Sequence, residues 1–142
     1  MEELKKISFG GKEIFLGYLP NHVEVTSRLL YELNLGMGDL SFSHNIGGRW
    51  ENSYLPIQKV PSVRDIVRPL RDLAVNLYGE KLLALFEPPT GLDHPPFWFN
   101  LSETGDSTGV HNHARESVVS GVYYLEAPID SGELFFRSDG ED

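Results

Sequence analysis

The chain has 142 residues and a mass of 16.0 kDa, which sets one domain as the expectation. Acids outnumber bases 21 to 12, for a net charge of −9 and a pI near 4.9. Such a field repels phosphate backbones and disfavours nucleic acid as a partner. Cysteine is absent, which excludes disulfides, thiolate zinc sites and cysteine nucleophiles and leaves His, Asp and Glu as the metal ligands.

No apolar run approaches the roughly 20 residues of a membrane helix. Met1 to Lys6 alternates acids and lysines and does not read as a secretory signal. A soluble, cytoplasmic protein with no membrane partner is expected.

In chain order, Glu13 to Leu19 reads as an opening strand closed by Pro20. Asn21 then caps a helix whose apolar positions Val23, Leu29, Leu30 and Leu33 recur at helical spacing until Gly36 and Gly38 stop it. From Asp39 to Pro61 no period is sustained, and Gly47-Gly48 before Trp50 suggests a long ordered loop or short irregular strands, of which the loop is the expectation. Ser62 with Asp65 three residues on has the form of a capping box. Behind it Val63, Ile66, Val67, Leu70, Leu73, Ala74 and Leu77 form the clearest helical stripe in the chain, ended by Gly79. Pro69 inside that stripe predicts a kink or two abutting pieces.

From Leu82 the pattern turns to β. Leu82–Phe86, Phe97–Ser102, Gly109–His113, Val118–Leu125 and Gly132–Phe136 are short aromatic and branched runs separated by Pro, Gly, Asp and Ser. Runs spaced in this way imply a sandwich or barrel. The expected architecture is α+β, a single domain over 1–142. A helical layer over about 1–80 packs on one side of strands over about 81–136.

The sharpest chemical feature is His111-Asn112-His113. In a strand, side chains at i and i+2 share a face, so two imidazoles would point together while Asn112 points away. A divalent transition metal suits such a pair, with a third ligand from another strand leaving positions open for substrate and oxygen. On the tripeptide alone, two surface or hydrogen-bonded histidines are the commoner outcome. The turn Gly105-Asp106-Ser107-Thr108-Gly109 before the pair, and the strand after it, are what favour a barrel mouth.

Trp98-Phe99-Asn100, then His111-Asn112-His113, then Ser120-Gly121-Val122-Tyr123-Tyr124-Leu125 with Pro128 and Gly132 follow a W-x-N, H-x-H, S-G-V-Y-Y, P and G pattern. In this the chain resembles a 2-oxoglutarate/Fe(II)-dependent oxygenase family common in marine bacteria and phages. The likeness runs from about Phe97 to Phe136, and Gly47 to Ser53 echoes the family's G-G-W-x-S segment more loosely. The resemblance implies a double-stranded β-helix, or jelly roll, with helices on one side. It also implies Fe(II) and 2-oxoglutarate as cofactors, the oxoacid being a small-molecule cosubstrate decarboxylated to succinate and CO2 as a second substrate is hydroxylated. That second substrate is not legible.

By the same resemblance His111 is the first iron ligand. His113 stands where the superfamily usually has a carboxylate, and either binds the iron or orients substrate; both histidines as ligands is the expectation. Asn100, 11 residues before His111, either hydrogen-bonds the oxoacid or is a strand-end amide satisfied by backbone. One of Tyr123 and Tyr124 should face the cavity with its hydroxyl toward a carboxylate, and Tyr124 is the choice. Glu116, His44 and His94 are reserves as ligands, and His22 is read as a surface residue.

The family pattern continues past Phe136 with a distal His and an Arg, whereas only Arg137 to Asp142 come after it here. About five strand runs stand against the eight of a jelly roll. The sequence reads as the N-terminal two-thirds of a domain, with a homo-oligomer sharing strands as an alternative. A cupin is the rival enzyme class, because Gly105, His111 and His113 match its G-x5-H-x-H opening, although Glu116 and Gly121 fall out of step with the remainder of the cupin motif. A non-catalytic jelly-roll module of phage or bacterial type is the rival outside enzymes.

Overall fold

The computed structural model describes residues 2–79, 81–113 and 117–137. It opens on an antiparallel hairpin, β1 (Glu2–Phe9) with β2 (Lys12–Tyr18), in which Ile7 faces Ile14 across the strands. β2 lies where a strand is expected, and β1 is additional. Gly10 and Gly11, at φ 55° and 74°, supply the two left-handed residues that a two-residue type I′ turn demands. Lys6 donates to Glu13 at 2.6 Å, which holds its ammonium above the ordinary lysine range; both groups are exposed, so the pair stabilises little.

The same device corrects the expected loop over 39–61. β3 (Ser41–Ile46) and β4 (Arg49–Tyr54) form a second antiparallel hairpin around Gly47 and Gly48, at φ 62° and 88°. Its strands are short and largely polar, and their stability comes from cross-strand pairing, which no single-strand period records. Gly48→Ala should lower Tm by about 2–4 °C from backbone strain alone, since nothing lies near the added methyl. Gly38→Ala, equally open but with ordinary φ, should not.

Between the hairpins runs α1 (His22–Gly36), followed by a 3-10 turn at Met37–Asp39. Its buried face is Val25, Leu29 and Leu33, so the inward stripe is offset from the expected one: Val23 is exposed and Leu30 half-buried. Asn21 holds the capping position without a side-chain cap bond, and its carbonyl accepts the Val25 N–H at 3.1 Å. Gly36 ends the helix in ordinary helical geometry. The glycine is required instead by packing, because a Cβ there would stand 2.8 Å from Leu55 Cδ1.

α2 (Val63–Tyr78) is one continuous helix with Pro69 inside it, so of the two expected outcomes the division into abutting pieces does not occur. Ile66 and Ala74, buried on either side of the proline, hold both turns against the core. Gly79 closes it at φ 69°, its N–H bonded to Val75 O at 2.8 Å. The expected capping box does not form. Glu32 of α1 accepts the Ser62 N–H at 3.0 Å and the Ser62 hydroxyl at 2.7 Å, while Asp65 pairs with Arg28 at 2.8 Å. One helix caps the other.

The core gathers Leu19, Val25, Leu29 and Leu33 with Leu55, Ile57, Val60, Val63 and Ile66, and Phe99 enters from the later chain. Phe86, Phe97, Tyr123 and Leu125 pack on its edge. Among the described residues after Gly79, the five expected strand runs make no ladder with one another. Their one bridge is Ser53 to Phe99, with N–H···O bonds of 2.9 and 2.8 Å. β4 is paired on one edge by β3 and offers its other edge to this segment, and prolines 88, 89, 95 and 96 remove donors just ahead of it. Among the described residues no helix is long and apolar enough to cross a membrane.

Candidate metal centre

His111 and His113 lie on an irregular segment rather than a strand, yet their rings meet edge to face. The centroids are 5.0 Å apart with planes at 87°. Two imidazoles bound side by side to one ion at about 2.1 Å bring their ring centres to about 5 Å, so this spacing suits a shared ion. His111 Nδ1 stands 2.8 Å from the Gly109 carbonyl, an oxygen that can only accept. The proton is thereby assigned to Nδ1, which leaves the imidazole lone pair on Nε2. His113 is half-buried, its ring tilted against Trp98 at 5.3 Å.

Behind the pair a polar chain leads back to β4. Trp98 Nε1 donates to Asn100 Oδ1 at 3.1 Å, and Asn100 Nδ2 donates to the Glu51 carbonyl at 2.6 Å. Asn100 thus takes the backbone-satisfied role, keeping one N–H and one acceptor position for a ligand. Beside it Arg49 donates to Glu51 at 2.7 Å, Thr108 Oγ1 at 3.1 Å, Ser102 Oγ at 3.3 Å and the Ser107 carbonyl at 3.4 Å, and its guanidinium lies 3.6 Å from Asp106. The Arg49, Glu51 and Asp106 side chains are 17, 8 and 26% exposed, so this ion cluster is largely screened from water.

Arg49 and Glu51 are neighbours of the candidate site that the sequence reading passes over. The signal was present: opposite charges two apart in a strand share a face and pair.

The other candidates lie elsewhere. Tyr123, not Tyr124, turns inward: its hydroxyl is 2.9 Å from Thr26 Oγ1 and donates to the His22 carbonyl at 3.3 Å, while Tyr124 is 59% exposed. His22 also bonds the Leu19 carbonyl through Nδ1, at 3.1 Å. His44, at φ 59°, meets Ser43 Oγ at 2.8 Å. His94 stacks on Tyr54 at 4.2 Å beside a cavity of about 140 Å³ that Asp93 and Glu87 also line. Glu116 falls outside the described residues.

Two imidazoles fit a divalent ion of the Fe(II) type, whose facial site uses a third protein ligand. Among the described residues no group of three His, Asp or Glu converges. No known protein family, curated protein or solved structure matches the chain.

Proposed function

We propose that this chain carries the iron-binding part of a non-haem Fe(II)/2-oxoglutarate-dependent dioxygenase, built on a jelly roll and acting in the cytoplasm. The observation that supports it is the imidazole pair, 5.0 Å between centroids, with the His111 lone pair on Nε2. His111 and His113 hold the ion in this reading. Asn100, with its remaining N–H, offers a hydrogen bond to the oxoacid. Iron bound there supplies oxygen activation, one atom of O2 ending in succinate and the other in the hydroxylated substrate as CO2 leaves.

Anaerobic titration with Fe(II) or Co(II) tests the pair. One ion per chain is expected, with His111→Ala or His113→Ala each weakening binding by more than about tenfold and the double variant abolishing it. An affinity unchanged in the double variant overturns the assignment. Succinate formation from 2-oxoglutarate with Fe(II) and O2 then separates the classes. Ion binding without consumption of the oxoacid points to a cupin-like barrel, and no binding at micromolar ion points to a non-catalytic module.

A further inference from the structure

We infer that Arg49 is the positioning residue of this centre, a latch that seats the histidine-bearing segment on β4; the inference rests on the reading of His111 and His113 as metal ligands. Four of its five partners lie in the stretch leading into the pair: Ser102, Ser107 and Thr108 accept hydrogen bonds and Asp106 makes an ion pair, and Thr108 is three residues before His111. The fifth, Glu51, is on β4 itself and buried. The latched stretch is folded into a turn: Asp106 Oδ2 accepts the Glu103 N–H at 2.8 Å, the Asp106 N–H returns to Glu103 O at 3.0 Å, and Gly105 between them has φ 92°. The stretch has no ladder bonds to hold it. Guanidinium hydrogen bonds take their place, and only a planar five-donor fork reaches so many acceptors at once.

Charge counting decides what kind of residue Arg49 is. One guanidinium faces two carboxylates, Glu51 at 2.7 Å and Asp106 at 3.6 Å, so its charge is already compensated and it offers no net attraction to an incoming oxoacid. It acts through the segment it holds. A second anchor lands on the same strand: Asn100 bonds the Glu51 carbonyl and Trp98, and Trp98 carries the His113 ring. The imidazole pair is therefore suspended between two attachments to β4, one at Thr108 and one at His113.

The test uses Co(II) as probe, with its visible absorption as the signature of imidazole ligation. A second readout is acrylamide quenching of Trp98 in a Trp50→Phe background, where Trp98 is the sole tryptophan. Arg49→Gln alone strands the buried Glu51 charge, so the main variant is Arg49→Gln with Glu51→Gln. Asp106→Asn, at the more exposed end of the latch, supplies a second variant should the first not fold.

Co(II) affinity about tenfold weaker, with Trp98 more accessible and the urea midpoint of the double variant little changed, is the expected result. Arg49→Lys should restore only part of the affinity. Unchanged affinity together with unchanged quenching overturns the latch. Should the unaltered chain bind no Co(II), the metal reading falls, and the quenching arm still decides whether Arg49 seats His113 on Trp98.

Discussion

Leu55→Ala is expected to lower the unfolding free energy by about 2–5 kcal/mol, a large part of the roughly 5–15 kcal/mol that holds a domain together. Leu55 is buried directly after β4 and lies on the bare backbone of Gly36, where a Cβ would stand 2.8 and 3.2 Å from its two methyl carbons. Gly36 has no side chain with which to fill the void from that side. In urea the midpoint should fall with the slope unchanged.

Gly36→Ala drives a methyl into the same space, costing about 1–3 kcal/mol against roughly 1 kcal/mol gained in helix propensity. The two changes are complementary, so the double variant should be less destabilised than the sum by about 0.5–3 kcal/mol. Strict additivity would refute the contact as the cause. Leu83→Ala, at a residue 86% exposed, should stay within about 0.5 kcal/mol.

Glu32→Ala is expected to cost about 1–3 kcal/mol, because it removes the one carboxylate that accepts both the N–H and the hydroxyl of Ser62 at the start of α2. Ser62 is 3% exposed, so water cannot readily replace the lost acceptor. The favourable placement of a negative charge at a helix N-terminus goes with it. Glu32→Gln keeps one acceptor oxygen and should lose about half as much. Hydrogen exchange at the first amides of α2 localises the effect, and exchange there no faster than in the parent chain would place the stability of that end elsewhere. Arg28→Ala, by contrast, breaks a pair whose partners are both about half exposed, and should change stability by about 0.5 kcal/mol or less.

These two sites show where sequence reading succeeds and where it stops. α2 is legible from Val63 to Gly79 because its stripe and its closing glycine act within a few residues of one another. Its start is misread, since the acceptor for Ser62 lies on Glu32, 30 residues away, and the local acid Asp65 is engaged by Arg28. The Gly-Gly pairs at 10–11 and 47–48 are visible as punctuation. That they turn hairpins depends on strands whose partners are recognised only when paired, so β1, β3 and β4 go unread.

At the candidate site the balance is the same. Two imidazoles two residues apart are legible as neighbours because that spacing is local, although the segment beneath them is irregular where a strand was the expectation. Alternation narrows the inward tyrosine to two positions, and docking against Thr26 on α1 selects Tyr123 over Tyr124. Arg49 looks in the sequence like one more surface charge beside a turn. Its place as the hub of the 102–108 segment exists only once β4 and that segment lie side by side, more than 50 residues apart in the chain. Helix propensity, glycine turns and the histidine spacing are written in short-range terms; the caps, the buried ion cluster and the choice of face arise from which distant surfaces exclude water together.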